Sequence, residues 1–415
     1  MKVSVVGLGY IGLPTATMFA SRGVEVVGID VSQEVVETIN KGLIHIVEPG
    51  LDALVQSAVS SGYLRAALAP ERADAFLIAV PTPFKGNHEP DLAYVEAATR
   101  SIAQVLEQGN VVILESTSPV GTTEKLIKWL SEERPDLVFP VPGGGDCDVN
   151  VAYCPERVLP GKVVQELVTN ARIVGGITNA CAEKACEIYR HFVEGELLVS
   201  DARTAEMCKL TENAFRDVNI AFANELSLIC DKLGIDVWKL IELSNHHPRV
   251  NILRPGAGVG GHCIAVDPWF IVDSAPEVAR IIRAAREVNG GKPEWVVEKI
   301  ESALRHSGPR TDEKGKKCVA LLGVAFKPDI DDLRESPALH IAHRFVARDD
   351  LEVLIVEPNV HKLPEKLQRG HLVDMDTAVQ RADVIAVLVA HAPFIASREE
   401  LSRFGNLIDA AGVCK

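Results

Sequence analysis

Cys263 stands in the stretch PGAGVGGHCIAVDPWF, among glycines at 256, 258, 260 and 261. A thiol kept for packing sits among Leu, Ile and Val. This one has His262 and Asp267 as polar neighbours, and the glycines allow a ligand to approach the backbone and the thiol. The thiolate is the nucleophilic form, and a cation such as Lys209 would activate it. Other readings stay open, because a single cysteine is more often structural, and His262 reads as well as a turn residue as a base. His246 and His247 are adjacent, suit one metal ion poorly, and read as surface or turn residues; no metal is expected.

A second polar group lies in AEMCKLTENAFRDVN, where Glu206, Lys209, Asn213 and Arg216 recur at steps of three and four. On a helix all four share one face. That stripe is either a solvated surface or, beside Met207, Leu210 and Phe215, the wall of a pocket. The helix pattern alone does not decide between them.

The opening MKVSVVGLGYIG holds Gly7, Gly9 and Gly12, with Tyr10 and Ile11 between them, directly after an apolar strand and at the start of a helix. Asp30 closes the second strand. This is the dinucleotide fingerprint in its required context. The glycines bring backbone N–H groups and a helix N-terminus to a pyrophosphate. Asp30 would accept the adenosine ribose hydroxyls and repel a 2′-phosphate, which favours NAD over NADP. Ligands of such sheets sit at the carboxyl ends of the strands. Val80, Pro81 and Thr82, and then Ser116, Thr117 and Ser118, are therefore expected near the nicotinamide, although each hydroxyl also fits simple turn chemistry.

A nicotinamide cofactor combined with a nucleophilic thiol suggests one reaction. An alcohol carbon is oxidised to an aldehyde, the thiol adds to it, a second oxidation gives a thioester, and water releases an acid. Two NAD are consumed. A one-step alcohol dehydrogenase has no need of such a thiol.

These residues need a scaffold to hold them. Strand-like runs KVSVV, EVVGID, AFLIAV and VVILES alternate with helical patterns, which implies a parallel sheet with helices on both faces. The pattern breaks at the Gly-rich stretch 140–150 and resumes weakly through VAYCPERV and ARIVGG. A helix without proline is predicted from Thr204 to Leu233. The charged loop RHSGPRTDEKGKK, 305–317, marks a boundary. Beyond it KKCVALLGV, LEVLIVEP, ADVIAVLVA and NLIDAAG read as a second α/β sheet. At 415 residues two or three domains are expected. A hydrophobic share of 47% with 24% charged residues supplies a core for each. The net charge of −14 argues against binding nucleic acid by bulk electrostatics. No apolar run reaches the roughly 18 residues of a membrane span, and the opening has no signal-peptide layout. Nine cysteines without a CxxC pair point to a reduced, cytoplasmic protein.

Taken in order, GLGYIGLP, AVPTPF, ESTSPVGTTEK, YCPERVLPG, EMCKLTENAFRDVNIAFANEL, PGAGVGGHCIAVDPW and GVAFKPDIDDLRESP resemble the UDP-glucose/GDP-mannose dehydrogenase family over essentially the whole chain. The resemblance implies two Rossmann-like doubly wound sheets joined by a central long-helix domain. The implied domains are 1–200 for NAD, 201–305 with the long helix and the cysteine loop, and 306–415 for the UDP-sugar. It implies Cys263 as nucleophile, and Lys209 and Asn213 as holders of a water and stabilisers of the oxyanion. Asp267 would order that water. Thr117 is the threonine of the family's ST-x-P motif. Glu156 would serve in closing the site and in proton transfer during thioester hydrolysis. Lys327 is implied at the substrate nucleotide and Arg334 at NAD. Arg157, Val158, Arg216, Gly258, Gly260 and Phe326 are implied around the sugar nucleotide. Arg249 and Asn251 would reach it from the neighbouring subunit of a homodimer. GGHCIAVD departs from the GGSCFPKD form common among UDP-glucose enzymes, which puts UDP-glucose in doubt. HIVEPGL and NHHPRVNI look like the branch that oxidises UDP-N-acetylmannosamine for bacterial surface polysaccharides such as the enterobacterial common antigen. Enzymes for UDP-N-acetylglucosamine share GGHC, so this motif leaves the C2 epimer open.

Overall fold

The apolar runs AFLI and VVIL become strands β4 (Ala75–Ile78) and β7 (Val111–Leu114), buried at every position. That is the signature of parallel strands covered on both faces. The computed structural model describes residues 1–86, 88–159, 161–261, 263–308 and 315–415. His262 and residues 309–314 of the expected boundary loop thus lie outside the described residues. Two units, Met1–Glu212 and Asn213–Lys415, each hold their own sheet.

In the first unit, β1 (Lys2–Val6), β2 (Glu25–Ile29) and β3 (Leu64–Ala67) precede β4. A two-rung antiparallel hairpin follows, β5 (Phe84–Lys85) with β6 (Glu89–Pro90). After β7 come β8 (Asn150–Tyr153), β9 (Arg172–Gly176) and β10 (Leu197–Asp201). The sheet order is β3–β2–β1–β4–β7–β8–β9–β10. The first six strands of that order are parallel and form the dinucleotide-binding arrangement. Successive residues feed opposite cores: Val111 and Ile113 one, Val112 and Leu114 the other. Helices α1 (Gly12–Ser21), α2 (Gln33–Asn40), α3 (Leu51–Ser60), α6 (Val163–Thr169) and α7 (Asn179–Tyr189) cover the first core. Helices α4 (Ala93–Ala103) and α5 (Thr122–Glu133) cover the second.

One step departs from the all-parallel expectation, since β8 and β9 are antiparallel, with Ala152 opposite Gly176 and Tyr153 opposite Gly175. Continuing that register past the end of β8 sets Arg172, the first residue of β9, opposite Glu156. In a parallel strand the first residue would lie at the other edge of the sheet.

Helix α8 (Ala202–Leu233) is the long helix expected, starting two residues earlier. The second unit continues through α9 (Val237–Ser244), α10 (Asp267–Ser274) and α11 (Arg280–His306). Strands β11 (Lys317–Leu322), β12 (Leu351–Val356), β13 (His371–Leu372), β14 (Val384–Val387) and β15 (Leu407–Asp409) form a parallel sheet ordered β13–β12–β11–β14–β15. α11 and α12 (Pro337–Val346) pack on one face. α13 (Met375–Arg381), α14 (Ala392–Ala396) and α15 (Arg398–Ser402) pack on the other. α11 runs straight through GGKP, which reads as a breaker. Its burial of Val296, Val297 and Ile300 outweighs the local preference.

Candidate active site

The cofactor end is built from the first βα turn. Gly7 has φ +92° and a Cβ there would lie 2.7 Å from the Ala79 oxygen. A Cβ on Gly12 would lie 1.7 Å from the Gly7 oxygen. Gly9 is different, because nothing lies within 4 Å of its missing Cβ. That open side leaves room for a pyrophosphate. The N-terminus of α1 has no side-chain cap and no acidic residue in its first turn, so its N–H groups favour an anion. Tyr10 is exposed and Ile11 half-buried at this turn. Asp30 follows the last residue of β2 directly and accepts from Leu8 N at 3.0 Å and Ser32 N at 2.9 Å. It therefore braces the glycine turn as well as offering a carboxylate for a ribose.

The loops after β4 and β7 are knitted together. Thr82 donates to the Thr117 oxygen at 2.5 Å, Ser116 to Val80 at 2.7 Å, and Ser118 to Ser116 at 2.9 Å. These hydroxyls shape the strand ends, with Pro81 in the turn between them.

The polar stripe on α8 resolves into separate tasks. Glu206 is buried and binds Gly121 N, Thr123 N and Thr123 Oγ1, closing the start of α5. Burial raises its carboxyl, and the bonds from Thr123 and Gly121 oppose that. Lys209 donates from Nζ to the main-chain oxygen of Glu156 at 2.7 Å. Arg216 is exposed. The Glu156 carboxylate turns inward, with Oε2 2.8 Å from Arg172 Nη2 and Oε1 accepting from Arg157 N at 2.7 Å. The Arg157 guanidinium pairs with Glu212, and Val158 packs against the core.

In the second unit, Asn213 Nδ2 donates to Asp267 Oδ2 at 2.5 Å. Asp267 is buried and opens α10, and its N–H bonds the Cys263 oxygen at 2.9 Å. Cys263 is exposed on this turn. The glycine loop before it is pressed against the segment after β11. A Cβ on Gly260 would lie 2.4 Å from the Glu335 oxygen, and one on Gly258 would lie 2.9 Å from Pro337. The Phe326 ring covers Gly261. Lys327 is exposed beside it. Arg334 is bidentate on Asp332, through Nε at 2.9 Å and Nη2 at 2.7 Å. Arg249 and Asn251 are exposed in the loop after α9, and His246 and His247 are turn residues there.

Three supports were not legible as site residues. Asn224, fully buried on α8, accepts from Gly256 N at 2.9 Å and donates to Asn289 at 2.8 Å. Asn289 in turn donates to Asp217, which binds Arg286 at 2.6 Å. This chain fixes the start of the cysteine loop. Glu357, at the end of β12, accepts from Val324 N at 2.7 Å and Ala325 N at 3.1 Å, with His391 Nε2 at 3.1 Å. Burial alone would raise its carboxyl, but the bonds from His391 and Val324 hold it below the usual range. It fixes the loop bearing Phe326 and Lys327. The third is Arg172, whose residue type in ARIVGG reads as a surface position before a strand.

A dinucleotide-binding first sheet, a thiol on a glycine loop and a second sheet with a cationic loop are the layout of an NAD-dependent dehydrogenase. Residues 1–193 match the NAD binding domain of the UDP-glucose/GDP-mannose dehydrogenase family, 203–290 its central domain and 320–414 its UDP binding domain. The chain belongs to this family. It is 61% identical over 398 residues to a UDP-N-acetyl-D-mannosamine dehydrogenase of Campylobacter jejuni, covering 95% of this chain and 96% of that one. It is 60% identical over 392 residues to an NDP-N-acetyl-D-galactosaminuronic acid dehydrogenase of Ralstonia nicotianae, covering 94% and 91%. Among solved structures, a UDP-D-ManNAc dehydrogenase from Pyrococcus horikoshii superposes with a TM-score of 0.88 at 39% identity, covering 100% of this chain and 96% of that one. NAD is the cofactor of this dehydrogenase. Among the described residues no helix is long and apolar enough to cross a membrane.

Proposed function

We propose that this protein oxidises UDP-N-acetyl-D-mannosamine at C6 to the uronate, in two steps at one thiol. One observation carries the reading. On successive turns of α8, Lys209 is anchored on the Glu156 carbonyl at 2.7 Å and Asn213 on the Asp267 carboxylate at 2.5 Å. Asp267 lies four residues after Cys263. A cation and an amide held this way are set to stabilise an oxyanion. The amide of Asn213 has two N–H bonds; one serves Asp267 and the other serves the reacting oxygen.

Two NAD accept the electrons of the two oxidations. The C6 alcohol first becomes an aldehyde. Cys263 Sγ adds to the aldehyde carbon as the thiol proton passes to the carbonyl oxygen, giving a thiohemiacetal whose oxygen faces Lys209 and Asn213. The second oxidation gives a thioester. Water adds, the C–S bond breaks, and the acid and the thiol are released. Thr117 serves at the reacting end, Lys327 and Phe326 hold the uridine diphosphate, and Arg334 reaches NAD by sharing or leaving Asp332. The functional domains are 1–200, 201–305 and 306–415. The C2 configuration rests on relatives such as the Campylobacter jejuni enzyme; the Ralstonia nicotianae relative supports N-acetylated sugars more broadly.

The protein works as a cytoplasmic homodimer in this reading. Phe215, Phe222 and Ile229 stand exposed at 68%, 52% and 46% at seven-residue spacing along α8, a stripe that a second copy would cover. Arg249 and Asn251 then complete the neighbouring site. The uronate supplies surface-polysaccharide assembly.

The test is NADH formed per sugar consumed, with UDP-N-acetylmannosamine, UDP-N-acetylglucosamine, UDP-N-acetylgalactosamine and UDP-glucose side by side. Two NADH per UDP-N-acetylmannosamine, with little turnover of the others, is expected. One NADH with a free aldehyde would refute the thioester route, and preference for another sugar would refute the substrate.

A further inference from the structure

Glu48 is the acidic side chain of HIVEPGL, and it is buried, at 4% exposure, although Val47 beside it is exposed. Ile46 and Leu51 sink into the first core on either side and set its main chain. Its carboxylate bridges to a distant part of the chain. Oε2 accepts from Gly161 N and Oε1 from Val163 N, each at 2.8 Å. Among the described residues no cation pairs with it, so main-chain N–H groups compensate its charge. A carboxylate buried against neutral donors is an inefficient way to add stability, because its dehydration offsets what the bonds return. What the arrangement does secure is the position of the two donors.

Those donors belong to the segment that leaves β8 and enters α6, and that carries Arg157, Val158, Leu159, Gly161 and Lys162. α8 holds its start, where Lys209 donates to the Glu156 oxygen at 2.7 Å and Glu212 pairs with the Arg157 guanidinium. Glu48 holds its end. Between the two anchors Leu159, Gly161 and Lys162 are exposed, and Gly161 turns the chain at φ +89°. An exposed segment fixed at both ends is ordered before a ligand meets it, so its ordering does not weaken binding. Resting on the reading that Lys209 faces the reacting oxygen and that Arg157 and Val158 lie along the sugar nucleotide, we propose that Glu48 is a positioning residue for the substrate, holding this segment in the form that receives the sugar nucleotide. The NAD end does not depend on it, because Asp30 has its own braces in Leu8 N and Ser32 N.

The experiment compares wild type, Glu48→Gln and Glu48→Asp with UDP-N-acetylmannosamine and NAD. It measures kcat, both KM values, thermal melting, and hydrogen exchange at the amides of Val158, Leu159, Gly161 and Val163 with and without the sugar nucleotide. Glu48→Gln removes the charge and turns an NH2 group toward one of the two donors. KM for the sugar nucleotide is expected to rise about tenfold or more, as for a lost charged acceptor. Because the loss is one of binding, kcat should fall less than about threefold and KM for NAD stay within about twofold. Gly161 and Val163 amides should exchange faster in the free variant. Glu48→Asp keeps the charge and is expected to fall between the other two. If Glu48→Gln does not fold, Gly161→Ala replaces it, since a Cβ strains the segment at φ +89° from its other side, and the same rise in KM is expected. A folded Glu48→Gln or Gly161→Ala with a lower melting point but a wild-type KM for the sugar nucleotide would overturn the inference and leave Glu48 a brace of the fold alone. So would an equal rise in KM for NAD. In the wild type the sugar nucleotide is expected to slow exchange at the four amides. No slowing there would instead overturn the reading that sets this segment along the substrate, whatever the variants do.

Discussion

Lys209 meets Glu156 at its main-chain oxygen, 2.7 Å away, while the Glu156 side chain faces the opposite way onto Arg172. A carbonyl partner carries no net charge, so it does not offset the field of the lysine as a carboxylate partner would.

Asn213 and Asp267 act as one device in this arrangement. Replacing Asn213 by Ala is expected to lower kcat by about a hundredfold to a thousandfold, the usual range for one oxyanion donor. Asp267→Asn is expected to lose less. The double variant should be no worse than Asn213→Ala, because Asp267 works largely through the amide it holds. Steady-state kinetics on the three variants checks this, and fully additive losses would separate the two residues.

Asp30 braces its own turn and, as the proposed function requires, would also take the ribose. Asp30→Ala is expected to raise KM for NAD by about tenfold or more and to narrow the preference over NADP. It should also cost roughly 1–3 kcal/mol of stability, because Leu8 N and Ser32 N lose their acceptor. Cofactor titrations and thermal melts measure the two effects separately. A variant with altered KM but unchanged melting would show that the turn does not depend on the carboxylate.

Glu115 makes stability depend on pH in a stated direction. Its carboxyl titrates at about 7 in the folded chain because of burial, against an ordinary value of 4.5. The folded state therefore binds the proton more tightly. This contribution is fully present below about 4.5 and is lost as pH rises through 7. Glu115→Gln is expected to flatten that decline by an amount on the order of 2–3 kcal/mol. Denaturant melts at pH 5 and pH 8, for wild type and variant, supply the comparison, and equal slopes would refute it.

Phe222 lies in the middle of the exposed stripe on α8. If the stripe forms the proposed homodimer interface, Phe222→Glu is expected to sediment as a monomer where the wild type sediments as a dimer. Activity should fall with dimer content, as Arg249 and Asn251 leave the neighbouring site. An unchanged sedimentation coefficient would place the interface elsewhere.

Much of this was legible in the sequence because glycine, strand and helix signals agreed. GLGYIG, the Asp30 position and the long helix were set by local chemistry, and the structure places them where their spacing implies. Lys209 and Asn213 were legible as a stripe, but Glu206 on the same face turned out to close α5. Periodicity gives the face of a helix and says nothing of what packs on it. β3 and β10 were missed because LRAA and LLVSD are short and partly exposed. Arg172, Asn224 and Glu357 were missed for another reason. Each acts through a partner far away in sequence, and no local pattern marks such a pair.

The reversal of β9 has a consequence for how this enzyme can change. Because the antiparallel register of β9 on β8 carries Arg172 toward Glu156, deleting or inserting a single residue within β9 would turn its side chains to the other face of the sheet. The cation would leave the buried rings of Tyr189 and Phe192, and Glu156 would lose its tether. Length changes between 156 and 170 leave that pairing alone, whereas the five residues of β9 admit none. Divergence near this edge is therefore expected as substitutions and loop-length changes, with the strand itself keeping its frame.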